Sequence, residues 1–354
     1  MGGQTTRFTL AGEVTDLFSH MALWGLARIC TDMGLTEVRC WWTDEPEPRA
    51  TLSVADADTT EVAQAVQGHA ELRAAEGSWL RETFSLDPEA PEATIGLLAP
   101  RTAAPRDGDQ WSRLDDACLA ARDCLQSDLD TELLLGLGYR SWWAVDRNGN
   151  MRADRGCSVW EMRTRNRGTD LVADRLLPLA RHVAGWSSEK IWDGLSGANM
   201  DDSTSGGKSD SRSSTGFRLP GPVDSARAWC ALWALSLFPV IADSQRGGAS
   251  PAYLPLAGGE SARHLLLVPV TTAPTSVPRM AALTRSRWLV DAVDSGHRRT
   301  RGPQDLNDIQ RNRRAARARL RGRGVLGIMQ FPVRVVGSAS APERQTLAGS
   351  FVGI

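Results

Sequence analysis

The segment from Trp160 to Gly194 constrains the fold most, because it joins a charged extended stretch to an apolar helix. It opens with Arg163, Arg165 and Arg167, which occupy every second position and are called the arginine comb below. Side chains alternate between the two faces of an extended chain, so the three guanidiniums are predicted to share one face. Two interpretations follow: a row of anion ligands, or an edge strand whose charges prevent pairing with another sheet.

A helix is predicted directly after the arginine comb. Gly168 ends the alternating pattern, and Thr169 and Asp170 are residue types that cap helix N-termini. A helix N-terminus beside arginines suits a phosphate group, because both present N–H donors and positive charge. The apolar residues of this helix recur at close to helical spacing: Leu171, Val172, Leu176, Leu177, Leu179, Val183 and Trp186.

The charge of the chain is divided unevenly between its two parts. The net charge is −1, yet residues 1–139 contain 24 acidic residues against 10 arginines, and residues 140–354 contain 18 acidic residues against 31 lysines and arginines. The first part therefore carries −14 and the second +13. A basic part of this size predicts a polyanionic partner, whereas the acidic part is predicted to face protein or solvent.

The most basic segment runs from His297 to Gly324 and contains ten arginines against two aspartates. Pro303 suits the start of a helix, and a thin apolar stripe follows between Leu306 and Leu320. So many like charges repel one another unless an anion neutralises them, and nucleic-acid phosphate is the natural anion. The alternative is a helix neutralised by carboxylates of the acidic part. Besides the arginine comb, the predicted nucleic-acid ligands are Arg298, Arg299, Arg301, Arg311, Arg313, Arg314, Arg317, Arg319 and Arg321.

Residues 196–214 are rich in Ser, Gly and Asp, and Met200 is their one large apolar residue. Such a segment buries too little surface to offset its ordering entropy, so a flexible loop is predicted. Lys208 and Arg212 within it are further candidate contacts to a polyanion. Four regions are predicted: an acidic α+β domain at 1–139, a hairpin with the comb and its helix at 140–195, the loop at 196–214 and a basic domain at 215–354.

The predicted fold class is α+β. The N-terminal order of elements, β-α-β-β-α, predicts a mixed unit with small antiparallel sheets, including an apolar helix at 17–33 that Asp16 caps. The turn at Asn148 and Gly149 predicts a hairpin between strands at 139–145 and 151–157. The basic C-terminal part is predicted to be rich in helices. Its predicted elements are an apolar helix at 223–238, a strand at 264–270, a helix at 280–293, the basic helix and a strand at 325–336.

Catalytic signatures are missing from the sequence. It contains no nucleophile-elbow, Walker, dinucleotide-binding or His-Glu zinc motif. Its six cysteines form no C-x-x-C pair, and no two of its five histidines have metal-ligand spacing. His20 lies among apolar neighbours, which is typical of a core histidine. We therefore predict a protein without catalytic activity, cofactor or metal, with a nuclease of scattered carboxylates as the enzyme alternative.

The expected location is the cytoplasm. No run of residues approaches the ~20 apolar residues of a membrane span. The first residues, MGGQTTRFTL, do not resemble a secretion signal, and unpaired cysteines suit a reducing compartment.

Several segments resemble a protein family. VTDLFSHMALWGLARI, followed by a strand that ends in Trp41 and Trp42, resembles the start of small large-subunit-type proteins of type I CRISPR effector (Cascade) complexes. The compact I-U/I-G branch is the most similar. WEMRTRNRGTDLVADRLLPLAR, WCALWALSLFPV and RGRGVLGIMQF also resemble segments of that branch. The resemblance spans most of the chain, and none of its motifs is a catalytic signature.

The resemblance implies a non-catalytic subunit of an antiviral complex that binds crRNA and target DNA. Such a subunit sits at one end of the crRNA-bound assembly, among other CRISPR effector subunits, and helps to recognise the short motif beside the target. It also stabilises the opened DNA before a helicase-nuclease is recruited. Arginines that contact guanine edges and a basic helix that follows the displaced strand would suit this role.

Two other classes of protein remain open. A free-standing nucleic-acid-binding regulator would also need a basic surface, although no helix-turn-helix spacing is evident. A nucleic-acid enzyme would need a carboxylate site that the sequence does not reveal. Genome context and the behaviour of the purified chain distinguish both classes from a complex subunit.

Overall fold

A computed structural model gives the architecture of the chain. It describes residues 4–92, 94–99, 105, 107–125, 127–138, 144–145, 151–152, 158, 171–203, 215–239, 251–256, 264–293, 303–338 and 341–354. The elements of the acidic part are β1 (Thr5–Leu10), α1 (Leu17–Asp32), β2 (Arg39–Trp42), β3 (Ala50–Ala55), α2 (Thr59–Ala74), a 3-10 turn (Trp79–Arg81), β4 (Thr83–Ser85), β5 (Thr94–Gly96), α3 (Gly108–Asp123) and α4 (Asp128–Leu137).

The remaining elements follow in two groups. The first group is β6 (Ala144–Val145), β7 (Met151–Arg152), a π-helical turn (Val172–Leu176), α5 (Leu177–Ala184) and α6 (Ser188–Ser196). The second group is α7 (Ser225–Trp233), a 3-10 turn (Ala234–Leu237), β8 (Tyr253–Pro255), β9 (His264–Thr271), β10 (Thr275–Ser276), α8 (Val277–Thr284), α9 (Trp288–Val293), α10 (Pro303–Arg321), β11 (Val325–Ser338), β12 (Ala341–Thr346) and β13 (Ser350–Gly353).

The predicted α+β class is confirmed, since helices combine with antiparallel sheets. One sheet has the order β1-β3-β2-β10, and a second has the order β12-β11-β9-β8 with β13 also paired to β11. Strands β4 with β5 and β6 with β7 form two small pairs, and the second pair is the predicted hairpin. The basic part is therefore richer in strands than its sequence pattern predicts, because it supplies the whole five-stranded sheet.

The acidic and basic parts share their first sheet and their core. Thr275 of β10 pairs with Cys40 of β2, so a strand from the predicted basic domain completes the N-terminal sheet. One cluster of buried side chains extends from Phe8 in β1 to Val333 in β11. The domain boundaries at 139 and 195 stay a prediction, while the strand pairing joins the regions on either side of them.

Helices α1 and α7 cross at very short distance in this core. Asp16 caps α1 by accepting a hydrogen bond from the Phe18 N–H at 3.1 Å, as predicted. The helix is buried on nearly every side because it lies between the first sheet and α7. At the crossing, Gly25 has no side chain, and a Cβ placed there would lie 1.7 Å from the Cys230 carbonyl oxygen. Position 25 therefore requires glycine because any side chain there would clash with α7, and not because of its backbone conformation.

His20 is a core histidine, as its apolar neighbours predicted. Its Nε2–H donates to the Val14 carbonyl oxygen at 2.7 Å, and its Nδ1 accepts from the Trp42 Nε1–H at 3.1 Å. These two partners fit only the neutral ring with its proton on Nε2. Burial lowers the pKa of His20 to about 4, although the Val14 carbonyl opposes the shift.

Acid is expected to destabilise the protein through His20. His20 binds a proton near pH 6.5 in the unfolded chain but only near pH 4 in the native state. Its contribution to the free energy of unfolding is therefore complete above pH 6.5 and is lost as the pH falls from 6.5 to 4. The loss is about 3 kcal/mol. Urea unfolding across this range should therefore show the wild type losing about 3 kcal/mol of stability relative to His20→Gln, because the glutamine side chain does not titrate. If the stabilities of the two proteins changed with pH in parallel, the lowered pKa of native His20 would be contradicted.

Three predicted segments differ in detail from the structure. The helix after the arginine comb is present from Leu171, with a π-helical turn before α5. The helix predicted at 280–293 is two helices, because the chain turns at Arg285 between Val277–Thr284 and Trp288–Val293. The predicted loop 196–214 is anchored at its start, where the Asp201 N–H donates to Asp224 Oδ2 at 3.1 Å. Residues 204–214 lie outside the described residues.

Candidate nucleic-acid interface

Helix α10 lies against α9 and leads into strand β11. Ala316 and Leu320 are buried and fix the helix on the molecule, whereas the arginines of its described part are exposed or half-buried. The chain turns at Gly324, whose φ of +72° favours glycine, and re-enters the core at Val325. The thin apolar stripe of the sequence is thus the face that attaches α10, and arginines occupy most of the remaining surface.

Three exposed arginines, Arg311, Arg314 and Arg321, define what we call the outer face of α10. Their spacing of three and seven residues places them on one side of the helix, over about 15 Å of its axis. Arg311 pairs with Asp308 at 3.2 Å, but the two side chains are 77% and 63% exposed, and such pairs contribute little. Within the described ranges, no carboxylate lies within the 4.0 Å ion-pair distance of Arg314 or Arg321.

The carboxylates of the acidic part do not neutralise α10. Where they form ion pairs among the described residues, their partners are other arginines, such as Arg28 for Glu132 and Arg218 for Asp16. The alternative interpretation of the sequence, a helix balanced by the acidic part, thus has no support in this part of the chain. Among the described residues, only Asp308 opposes the positive potential of the outer face, and such a potential attracts polyanions.

Two of the predicted ligands form hydrogen bonds within the fold. The Nε–H groups of Arg313 and Arg317 donate to the Ala292 carbonyl oxygen at 3.2 and 3.0 Å. Ala292 lies in the last turn of α9, where carbonyl groups lack helical partners and cations are favourable. Partial desolvation lowers the pKa of Arg317, and the charges of Arg313 and Arg321 add to that shift. We call Arg313 and Arg317 the inner pair.

Trp288 lies beside two further arginines of this basic segment. The Arg323 guanidinium lies 4.2 Å from the centre of the half-buried Trp288 ring, and that of Arg319 lies 5.2 Å from it. Arg279 also donates to the Arg323 carbonyl oxygen, which brings another cation to this end of α10. An aromatic ring among arginines is a typical platform for nucleic-acid bases. Trp288 was not among the predicted ligands, although its position beside Arg287 in a short helix was the available signal.

The other predicted ligands lie outside the described residues: the arginine comb, Lys208, Arg212, Arg298, Arg299 and Arg301. Their role stays a prediction. Replacing all three comb arginines by alanine should weaken target binding while the melting temperature stays unchanged. An effect confined to one base would indicate base reading, and a uniform loss would indicate phosphate contact. Normal target binding by the triple variant would leave the edge-strand interpretation.

A buried ion network lies between α1, α2 and α4, away from α10. Arg73, only 4% exposed, donates through Nε to Asp130 Oδ1 at 3.1 Å and through Nη2 to Asp32 Oδ2 at 2.9 Å. His69 Nε2 lies 3.8 Å from Asp32 Oδ2, and burial together with the Arg73 charge lowers the pKa of His69. Burial raises the pKa of Asp130, an effect that Arg73 opposes. These residues are distant from one another in sequence, so no sequence motif predicts the network.

Neither a search for metal ligands among the described residues nor comparison with known proteins indicates a further site. Within the described ranges, no three His, Cys, Asp or Glu side chains converge on a position for a metal ion. Every described helix is too short or too polar to cross a lipid bilayer. No family model, curated protein or solved structure matches the chain.

Proposed function

We propose that the chain is a nucleic-acid-binding protein that contacts phosphate through the outer face of α10. The supporting observation is that Arg314 and Arg321 point to solvent without a carboxylate among the described residues, while Arg311 has only an exposed one. Positive charges held this close on one helix repel each other, and an array of phosphates relieves that repulsion. Trp288, with Arg319 and Arg323, supplies a second surface, which suits an unpaired base.

We further propose that this binding serves a crRNA-guided type I CRISPR surveillance complex, in which the chain is a non-catalytic subunit. The support is the family resemblance of four segments, among them the α1 and α7 sequences. The subunit would help to recognise the target-adjacent motif and stabilise opened target DNA. Its partners would be crRNA, target DNA, the other effector subunits and a helicase-nuclease recruited on target binding.

The first test is binding of the purified chain to duplex and single-stranded DNA of random sequence. We expect weak, sequence-independent affinity whose logarithm falls with log salt at a slope between about −3 and −5, from the three outer arginines and the two beside Trp288. Fluorescence anisotropy over a salt series measures this slope. A slope near zero would reject the phosphate-binding role, and cleavage of the DNA in Mg²⁺ would favour the enzyme alternative.

The second test addresses the complex. Co-expression with the products of neighbouring genes and a guide RNA should yield a stable particle that contains this chain and binds the guided target. If the chain instead purifies alone and binds a single operator tightly, the regulator alternative is correct. This test is independent of the salt series, so phosphate binding and complex membership can fail separately.

A further inference from the structure

A groove on the acidic part opens where three helices end. It lies at the C-terminal ends of α1, α2 and α3 and the start of α4, and it encloses about 1070 Å³. One wall is apolar and includes Met33, Leu97 and Leu125. Leu72 also lines the groove, with 61% of its surface exposed. We call this feature the acidic groove because of its charges.

Carboxylates outnumber guanidiniums in the acidic groove. Four acidic side chains and two arginines line it. Both arginines already have carboxylate partners: Arg28 pairs with Glu132, and Arg73 pairs with Asp32 and Asp130. Glu82 and Asp128 remain at the exposed rim, where no described cation forms an ion pair with them. The C-terminal ends of α1, α2 and α3 add negative potential, which the N-terminal end of α4 partly offsets. The groove therefore suits a basic helix with some apolar surface.

A helix of that chemistry is present on the same chain. The outer face of α10 carries Arg311, Arg314 and Arg321, and Leu306 near its start is 47% exposed. None of the residues that line the acidic groove belongs to α10, so the two surfaces can meet only between copies unless the molecule rearranges. The net charge of −1 offers little repulsion between copies, while the −14 and +13 parts attract each other.

We propose that the acidic groove binds helix α10 of a second copy, which gives a head-to-tail assembly in the absence of nucleic acid. Leu306 would meet the apolar wall beside Leu72, and the outer arginines would meet Glu82 and Asp128. Such an interface joins two different surfaces, so each copy keeps one free groove and one free helix. Nucleic acid, which we propose to bind the same helix, dissociates the assembly by competition.

The test begins with sedimentation of the full chain without nucleic acid. At about 0.05 M salt the weight-average mass should exceed the monomer mass of 38.4 kDa and rise with protein concentration, and at about 0.5 M salt it should return to the monomer. Glu82→Lys with Asp128→Lys should stay monomeric at low salt. Asp44→Lys with Glu47→Lys makes the same charge change on exposed residues outside the groove, and should associate like the wild type.

Mixing two variants identifies which surfaces meet. The helix variant, with Arg311→Glu, Arg314→Glu and Arg321→Glu, keeps an intact groove, and the groove variant keeps an intact helix. Each should be monomeric alone, and their mixture should form dimers that stop growing. Random single-stranded DNA should dissociate the wild-type assembly. A wild-type monomer at low salt, or a mixture that stays monomeric, would overturn the proposal, while DNA binding by the wild type would still report separately on the proposed function.

Discussion

Replacing Gly25 by alanine should destabilise the protein by at least about 3 kcal/mol. In an ordinary helix the same change stabilises by about 1 kcal/mol, so the expected sign is reversed. The reason is contact: the new Cβ would lie 1.7 Å from the Cys230 carbonyl oxygen and 3.1 Å from the Ala234 nitrogen. Both atoms belong to the backbone and cannot rotate away, so α1 and α7 must separate and lose the packing of their buried tryptophans.

Gly68→Ala in α2 is the matched control. A Cβ at that position has the Met33 Cε as its neighbour, at 3.2 Å, and that atom ends a flexible side chain. We expect this variant to gain up to about 1 kcal/mol from helix propensity. Denaturant unfolding of both variants beside the wild type gives the comparison. Equal stabilities for the Gly25 variant and the wild type would mean that the two helices do not cross at this distance.

The crossing shows what the sequence can predict and what it cannot. Apolar spacing predicted both α1 and α7, and Asp16 marked the start of the first. Nothing local shows that residue 25 meets residue 230, because contacts between distant segments depend on the topology of the whole chain. A glycine inside a strongly apolar helix was the available sign of a close approach.

The second sheet was predicted only in part, for a related reason. Apolar runs predicted β9 and β11, whose central residues are buried on both sides. Strand β12 has the sequence APERQT, which lacks apolar alternation, and it forms because β11 is long enough to pair with it over Val333–Ser338. Strand β13 pairs with the earlier part of β11, from Gly327 to Gln330. Pairing with a strong neighbour thus overrides weak local preference.

The candidate nucleic-acid interface was also predicted only in part. The sequence predicted a basic helix with a thin apolar stripe, and α10 has both features. It did not separate the outer face from the inner pair, because which side of the helix meets α9 depends on tertiary packing. Arg313 and Arg317 are four residues apart and share a face, and that face happens to reach the Ala292 carbonyl oxygen. We therefore expect fewer phosphate contacts than the number of arginines in the helix would suggest.

The outer face and the inner pair can be tested separately, because substitutions in the first should weaken DNA binding and substitutions in the second should lower stability. Glutamine at Arg311, Arg314 and Arg321 removes charge from the outer face and keeps good helix propensity. We expect DNA affinity to fall roughly 10- to 100-fold at ~0.1 M salt, and the log–log salt slope to flatten by about 2.7, since each phosphate contact contributes about 0.9. The free energy of unfolding should change by less than about 0.5 kcal/mol, because these side chains are exposed.

Glutamine at the inner pair, Arg313 and Arg317, should do the opposite. Two hydrogen bonds from charged donors to the end of α9 are lost, so the free energy of unfolding should fall by about 2 kcal/mol. The salt slope should stay close to that of the wild type, because the Nε–H groups of both arginines point to Ala292. Chemical unfolding and fluorescence anisotropy on the same samples separate the two quantities. If both variants flatten the slope equally, phosphate meets the whole circumference of α10; if neither does, the helix does not contact nucleic acid and its charge serves protein association instead.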